Sequence, residues 1–441
     1  MSKSILFEAN ALTLPQGTGI ATYSRNLART ADAVGYETEL LIGTNRAVNR
    51  KDPLLAEISL HDASKPALFD PVRDIGRAID WAVGVPGGAA ASRLAPQRIV
   101  LDAGSGTMAA RHHPTHAALR LEERAFLHFN RHGRRLTVRP DRRHDIFHAT
   151  RPIALRAGNA ANVYTIHDIV PLRLPYATLD NKRHFYKLIK NIAREADHIV
   201  TVSEFTRRDV IEFFDVPEDR ITNTWQSVSI DSALLSVEDD LIANEIEHRY
   251  GLGFKEYFLF LGAIEPKKNI SRMVEAFAAS GTTRPLVLAG GLGWQYKQDL
   301  ETLDDERFRS WRFDGERITE DRRIQRLSYV PRTSLLSLIR GARGVLFPSL
   351  YEGFGLPILE AMLLGTPTVT STTSSMPEVA GDAALLVDPY RIEEIRDAIR
   401  AIDADADLRA DLSRRGRERA GFFSPERYAE RVKAVYDRVL G

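Results

Sequence analysis

No cysteine occurs in the 441 residues, which excludes a disulfide framework and any thiolate metal centre and is compatible with a reducing compartment. The N-terminus, SKSILFEANALTLPQGTG, lacks an apolar run long enough for a signal peptide or a membrane span, and the chain reads as cytosolic. Net charge is nearly absent too. With 60 Lys plus Arg against 59 Asp plus Glu, the chain carries no overall signal for a polyanionic partner, and no nucleic acid is expected. Internal repeats are missing, and the PGGAAAS stretch from Pro86 to Ser92, the one short low-complexity segment, reads as a loop. Neither an Asp cluster nor a His/Cys spacing of a metal site is visible, so no metal and no resident cofactor are expected.

What is present is the composition of an ordinary globular protein, 44% hydrophobic and 27% charged, with length for two or three domains. Short apolar runs rich in β-branched residues alternate with amphipathic stretches, the pattern of parallel sheets covered by helices. Strands are expected at Ile5–Glu8, Glu39–Ile42, Arg98–Asp102, Asp145–Ala149, Val163–His167, His198–Val202 and Ile221–Trp225. A second set follows at Tyr257–Leu261, Leu286–Ala289, Ile324–Tyr329, Gly344–Phe347, Thr366–Thr370 and Ala384–Val387. Between the sets, Ser232 to Gly253 is acidic, lacks a buried strand signal and ends in GLG. The expected fold is therefore α/β, with Rossmann-like domains at 1–235 and 250–423. A last helix over 424–441, opening with Ser-Pro-Glu, is free to pack back on the first domain.

Chemistry concentrates at strand ends. In PSLYEGFGLPILEAMLLGTP, Pro348 to Pro367, a strand runs into a loop of Glu352, Gly353, Phe354 and Gly355, and then into a helix from about Leu356. Glycines allow close backbone approach, and a helix N-terminus offers unpaired N–H groups with a positive dipole end. Phosphate would repel Glu352 and Glu360, so they suit sugar hydroxyls better; equally, one is a loop carboxylate and the other favours a helix start. FLGAIEPKKNI places Lys267 and Lys268 at a helix start, a position unfavourable to the dipole unless an anion offsets it, or else a solvated basic turn. QGTGIATYSRN brings Gly17 and Gly19 before a helix, a weak nucleotide signal because Thr22 replaces a third glycine. VYTIHDIVPL ends a strand at His167 and Asp168, and IVTVSEFTRRD offers Ser203 as a helix cap. The Arg-rich segment from Arg111 to Arg156 contains an expected amphipathic helix, Ala118 to Arg131, with Leu121, Ala125 and Phe129 on one face. It is either a core-packed helix with a solvated face or a surface for an anionic membrane leaflet or a lipid diphosphate.

The run from Arg326 to Pro389 closely resembles the retaining glycosyltransferases of family 4, whose GT-B fold sets two Rossmann-like domains across a cleft; their Glu, seven residues, Glu signature is matched by Glu352 and Glu360. The resemblance implies that Glu352 meets donor-sugar hydroxyls and Glu360 the ribose, with the backbone of Gly353, Phe354, Gly355 and Leu356 on the diphosphate. It further implies that Lys268 grips the diphosphate, that the Gly17–Gly19 loop faces the reacting sugar, and that His167 lies near the reacting carbon. Ser203 and Lys267 are additional candidates. Ala263 stands where many members have an arginine, and Trp225, Gln226, Ser227 and Val228 replace a common Pro-Asn-Gly-Val. Tyr329 and Val330 adjoin the implied base site, whose base they do not reveal.

The implied activity is metal-independent hexosyl transfer with retention, mannose from GDP-mannose to a glycan or lipid-linked glycan in surface polysaccharide synthesis. The resemblance to bacterial mannosyltransferases suggests that donor, ahead of UDP-hexoses and other GDP-sugars. The nucleotide sugar is a co-substrate, not a cofactor. The location is cytoplasmic, with peripheral contact on the inner face of the cytoplasmic membrane as a candidate. An epimerase-like enzyme on the same fold would lack the paired glutamates, and an inactive binding protein would have lost cleft residues.

Overall fold

The computed structural model describes residues 3–10, 19–44, 75, 76, 78–80, 83–85, 87–94, 113–293, 309–313 and 318–441, with backbone alone at 232, 233, 309–313 and 318–322. Gly17 and the expected strand Arg98–Asp102 lie outside them.

Two sheets carry the fold. The first has ten strands in the order Ile221–Asn223, His198–Thr201, Ala161–Ile166, Ile146–Ala149, Ser4–Glu8, Glu37–Thr44, Thr115–Leu119, Ala89–Arg93, Leu136–Pro140 and Leu155–Ala157. Its pairings are parallel except that of Ala89–Arg93 with Thr115–Leu119. The second is wholly parallel: Ile324–Leu327, Leu286–Ala289, Phe258–Leu261, Gly344–Phe347, Thr368–Ser371 and Leu385–Val387. Its central strands, FLFL at Phe258–Leu261 and GVLF at Gly344–Phe347, are buried at every position, as a strand covered on both faces requires. A separate antiparallel hairpin joins Arg309–Phe313 to Ile318–Arg322.

Two sequence expectations are corrected. The stretch read as a loop from Pro86 contains the strand Ala89–Arg93, whose Ala89 and Ala91 share one face of the sheet and are fully buried in the same core as Leu136 and Val138. The amphipathic helix begins at Leu121, not Ala118, since Ala118 belongs to the strand Thr115–Leu119; Leu121, Ala125 and Phe129 form its buried face. Within 232–253 stand two helices, Ser232–Leu235 and Asp239–Tyr250. The second packs on the helix Arg332–Gly341, where its Glu245 accepts from the hydroxyls of Ser334 at 2.9 Å and Ser337 at 2.7 Å.

The last helix, Pro425–Leu440, is capped by the Ser424 hydroxyl and crosses to the first sheet. There the Tyr436 hydroxyl lies 2.8 Å from Nδ1 of the buried His148, and Tyr36 donates to Asp437 at 2.8 Å. Among the described residues no helix is long and apolar enough to cross a membrane.

Candidate active site

The loop after the strand Gly344–Phe347 forms the centre. Buried Glu352 accepts from the Lys268 ammonium at 2.6 Å and from Lys267 at 3.5 Å. Burial pushes its carboxyl up, but the two ammonium groups outweigh this and hold it below the usual range. Burial also works against charge on Lys267, yet Glu352, Asp168 and Glu265 hold its ammonium more firmly protonated than a free lysine. Ser374 and Ser375 brace the loop: the amide of Glu352 donates to the Ser374 hydroxyl at 3.0 Å. The Ser375 hydroxyl lies 2.9 Å from the Glu352 carbonyl and 2.8 Å from that of Phe354. Gly355, at φ 109°, then turns the chain into the helix Leu356–Leu363.

The lysines are not in the first turn of a helix, as the sequence suggested. They close a separate 3-10 turn, Pro266–Lys268, and Asn269, at φ 60°, separates them from the helix Ile270–Ser280. Their compensation comes from Glu352, with the Lys268 ammonium also 4.7 Å from the centre of the Phe347 ring.

The first domain meets this loop edge-on. A Cβ added at Gly353 would stand 2.1 Å from the His167 carbonyl oxygen, so only glycine allows the two backbones to approach so closely. The Nε2 of half-buried His167 donates to the Thr150 carbonyl at 2.8 Å, which leaves Nδ1 as the free acceptor; desolvation holds the imidazole below its usual pKa. Tyr351 donates to Asp209 at 2.6 Å across the same boundary. Gly19 opens the helix Gly19–Ala33, and a Cβ there would lie 3.8 Å from Leu356 Cδ1, so two helix N-termini converge beside the loop.

Other candidates fall around this centre. Glu360 is buried and pairs with Arg332 at 2.6 Å; burial raises its pKa even so. Tyr329 is 73% exposed, free to stack on a ligand, while Val330 packs against the core. Ala263, partly exposed, follows Gly262 at the end of Phe258–Leu261. Ser203 is fully buried and caps the helix Glu204–Phe214 through the Thr206 amide at 3.0 Å.

Sequence reasoning missed Glu378 and Arg332, whose roles depend on long-range contacts. Glu378 reaches from the second domain to the N-terminus of Glu204–Phe214, accepting from the amides of Glu204 at 2.7 Å and Phe205 at 3.0 Å and from the Trp225 indole at 2.6 Å. It also missed a buried trio, Glu39, His116 and His144, whose ligand atoms lie within 4.8 Å of one another, a donor set that a divalent cation can use. In this trio both imidazoles approach the same Glu39 oxygen, at 2.6 and 2.7 Å, while Arg142 and Arg93 hold the other at 3.2 and 3.3 Å. The carboxylate is thus satisfied by side chains of the chain itself.

Comparison with known proteins places the chain in a family. Residues 245–419 match the family model of glycosyl transferases group 1, and residues 90–223 match that of glycosyltransferase family 4. The chain is 36% identical over 269 residues to the O-antigen chain mannosyltransferase B of Escherichia coli, covering 60% of this chain and 67% of that protein. It is 32% identical over 245 residues to the serotype-specific mannosyltransferase WbdA of the same species, covering 53% of this chain but 28% of that larger protein. Its fold matches Anabaena HepE, solved with UDP and glucose, at a TM-score of 0.64 and 13% identity over 99% of this chain and 100% of the other.

Proposed function

This chain belongs to the family 4 glycosyltransferases, with two α/β domains in the GT-B arrangement, and we infer that it transfers a mannosyl group from GDP-mannose with retention of configuration. The acceptor in this reading is a glycan or lipid-linked glycan of a bacterial surface polysaccharide. The mannosyltransferase relatives support the mannosyl group, and the O-antigen relative supports the acceptor class. The observation that carries the chemistry is the buried Lys268–Glu352 pair at the junction of the loop with His167.

Cleaving a sugar–phosphate bond builds positive charge at the anomeric carbon and negative charge on the departing diphosphate, so the protein must stabilise both. Lys268, with Lys267 behind it, meets the diphosphate in this reading, and the amides at the starts of Gly19–Ala33 and Leu356–Leu363 supply further donors. The cations that meet the leaving group then come from the chain, so the transfer needs no metal ion. Glu352, held ionised by its lysines, accepts from sugar hydroxyls. His167, neutral with Nδ1 free, stands on the opposite wall near the reacting carbon. Glu360 accepts from the ribose with Arg332 orienting its carboxylate, and Tyr329 covers the base.

A thermal-shift panel of nucleotide sugars tests the donor, because a ligand that binds only the folded state raises the melting temperature with its concentration. GDP-mannose should stabilise most; a larger shift with a UDP-hexose would replace it. Glu352→Gln should lower kcat about a hundredfold with little change in KM, as loss of one transition-state contact does. Lys268→Ala should impair both constants, and near-normal kinetics for both variants would contradict the assignment.

A further inference from the structure

We propose that the first domain carries a second ligand site, built of arginines at the end of its sheet opposite the reacting centre, and that this site takes a diphosphate group. The inference stands apart from the donor assignment and uses none of its residues.

The site is a cavity of about 720 Å³, whose lining includes Arg134, Arg135, Arg139, Arg156 and Arg194, with Glu195 the one carboxylate. Two helices and two strands bring these side chains together. The helix Leu121–His132 ends at Gly133, at φ 65°, which turns the chain so that Arg134 and Arg135 lead into the strand Leu136–Pro140 carrying Arg139. The adjacent strand Leu155–Ala157 brings Arg156 opposite Thr137. Arg194 closes the helix Lys182–Glu195, which returns from the His167 end of the sheet to where the next parallel strand begins. The cavity therefore lies far from the loop of Glu352.

Arginines near helix C-termini complement the dipole, and that alone would explain Arg194. It does not explain Arg135. Its side chain is almost wholly buried, 3.5 Å from Glu195 and 4.9 Å from the centre of the Tyr164 ring, yet its Nε and Nη1 have no hydrogen-bond partner. A guanidinium buried with two unpaired donors is costly unless an acceptor arrives. Glu195 is shared with Arg194 at 2.5 Å, and among the described residues no carboxylate pairs with Arg134, Arg139 or Arg156. Five planar donor forks around one cavity match a ligand with several closely spaced anionic oxygens, and arginine binds phosphate in this two-pronged way. A single carboxylate would leave most of the forks unmet, whereas a diphosphate engages several at once. The same group could arrive on a polyprenyl carrier or on a soluble molecule.

Calorimetric titration of the full chain with inorganic pyrophosphate tests the site. The Lys268→Ala variant removes the contribution of the donor cleft, and binding should persist there. Adding Arg134→Ala and Arg156→Ala, both at exposed positions where folding is not at risk, should weaken that binding at least about tenfold, since each removes a charge-assisted contact. Arg135→Gln should do the same, with circular dichroism confirming the fold. Absence of binding, its loss on Lys268→Ala alone, or indifference to the arginine substitutions would overturn the proposal. Sedimentation with phosphatidylcholine vesicles, with and without a polyprenyl diphosphate, identifies the source. Capture that needs both the lipid diphosphate and Arg134 and Arg156 makes the ligand lipid-borne, and pyrophosphate binding without capture makes it soluble.

Discussion

Glu378→Ala should separate the two domains without unfolding either. The helix Glu204–Phe214 begins with unpaired amides, and these are shared out across the boundary: Ser203 takes that of Thr206, while Glu378 takes those of Glu204 and Phe205. The same carboxylate accepts from the Trp225 indole. Removing it strands the two amides and the indole, each worth about 1 kcal/mol when its partner is lost, or about 3 kcal/mol in all, besides the longer contact from the Asn223 side-chain amide at 3.5 Å. Glu378 is only half-buried, so water recovers part of this and about 2 kcal/mol is a fairer figure, close to thirtyfold in the closed-to-open ratio. Small-angle scattering should then show a larger radius of gyration, and kcat/KM for the donor should fall by a similar factor. Glu378→Gln, which keeps one acceptor, should recover part of the loss. An unchanged radius together with unchanged kcat/KM in Glu378→Ala would refute the idea that this carboxylate couples the domains.

Two further outcomes follow from the contacts. Gly353→Ala puts a methyl against the His167 carbonyl, a backbone atom that cannot rotate away, so kcat should drop more than tenfold while the circular dichroism spectrum is retained; normal turnover would show that the boundary is loose. Burial lowers the His148 pKa to about 3 and that of His198 to about 4. Each imidazole is neutral in the folded protein while the unfolded chain takes up a proton below about pH 6.5, so stability is complete above that value and falls with pH down to the folded pKa. The cost is about 1.4 kcal/mol per pH unit for each group. Urea unfolding between pH 6 and pH 4 should therefore show a slope shallower by about this amount in His148→Gln, and identical slopes would remove His148 as the cause.

The readable parts of the sequence were those in which one short segment does everything. FLFL, LVLA and GVLF read as strands because a central parallel strand is apolar at each position, and all three are buried throughout. Glu352 and Glu360 were legible because strand, loop and helix follow one another within a single run. Ala89–Arg93 was not, since alanine carries little strand signal and the strands it pairs with, Thr115–Leu119 and Leu136–Pro140, come later in the chain. Glu378 was hidden for a different reason: its partners lie more than 150 positions earlier in the chain.

Lys268 shows how a sound local argument can have the wrong cause. The sequence asked what anion offsets two lysines at a helix start; the lysines instead close a 3-10 turn, and the anion is Glu352 of the same domain. This changes what donor binding must do. On the proposed donor assignment a diphosphate would compete with Glu352 for the Lys268 ammonium, and the carboxylate would lose its closest partner. Lys267, at 3.5 Å, stays beside it as a second cation. On that assignment the sugar hydroxyls would meet the oxygen just released, and gripping the phosphate and orienting the sugar would be one exchange of partners. Removing Lys268 should then also weaken sugar recognition: Lys268→Ala should bind a nucleotide sugar no better than the bare nucleotide diphosphate, whereas the unaltered protein should prefer the sugar. A Lys268→Ala variant that keeps that preference in calorimetric titrations would separate the two tasks and disprove the exchange.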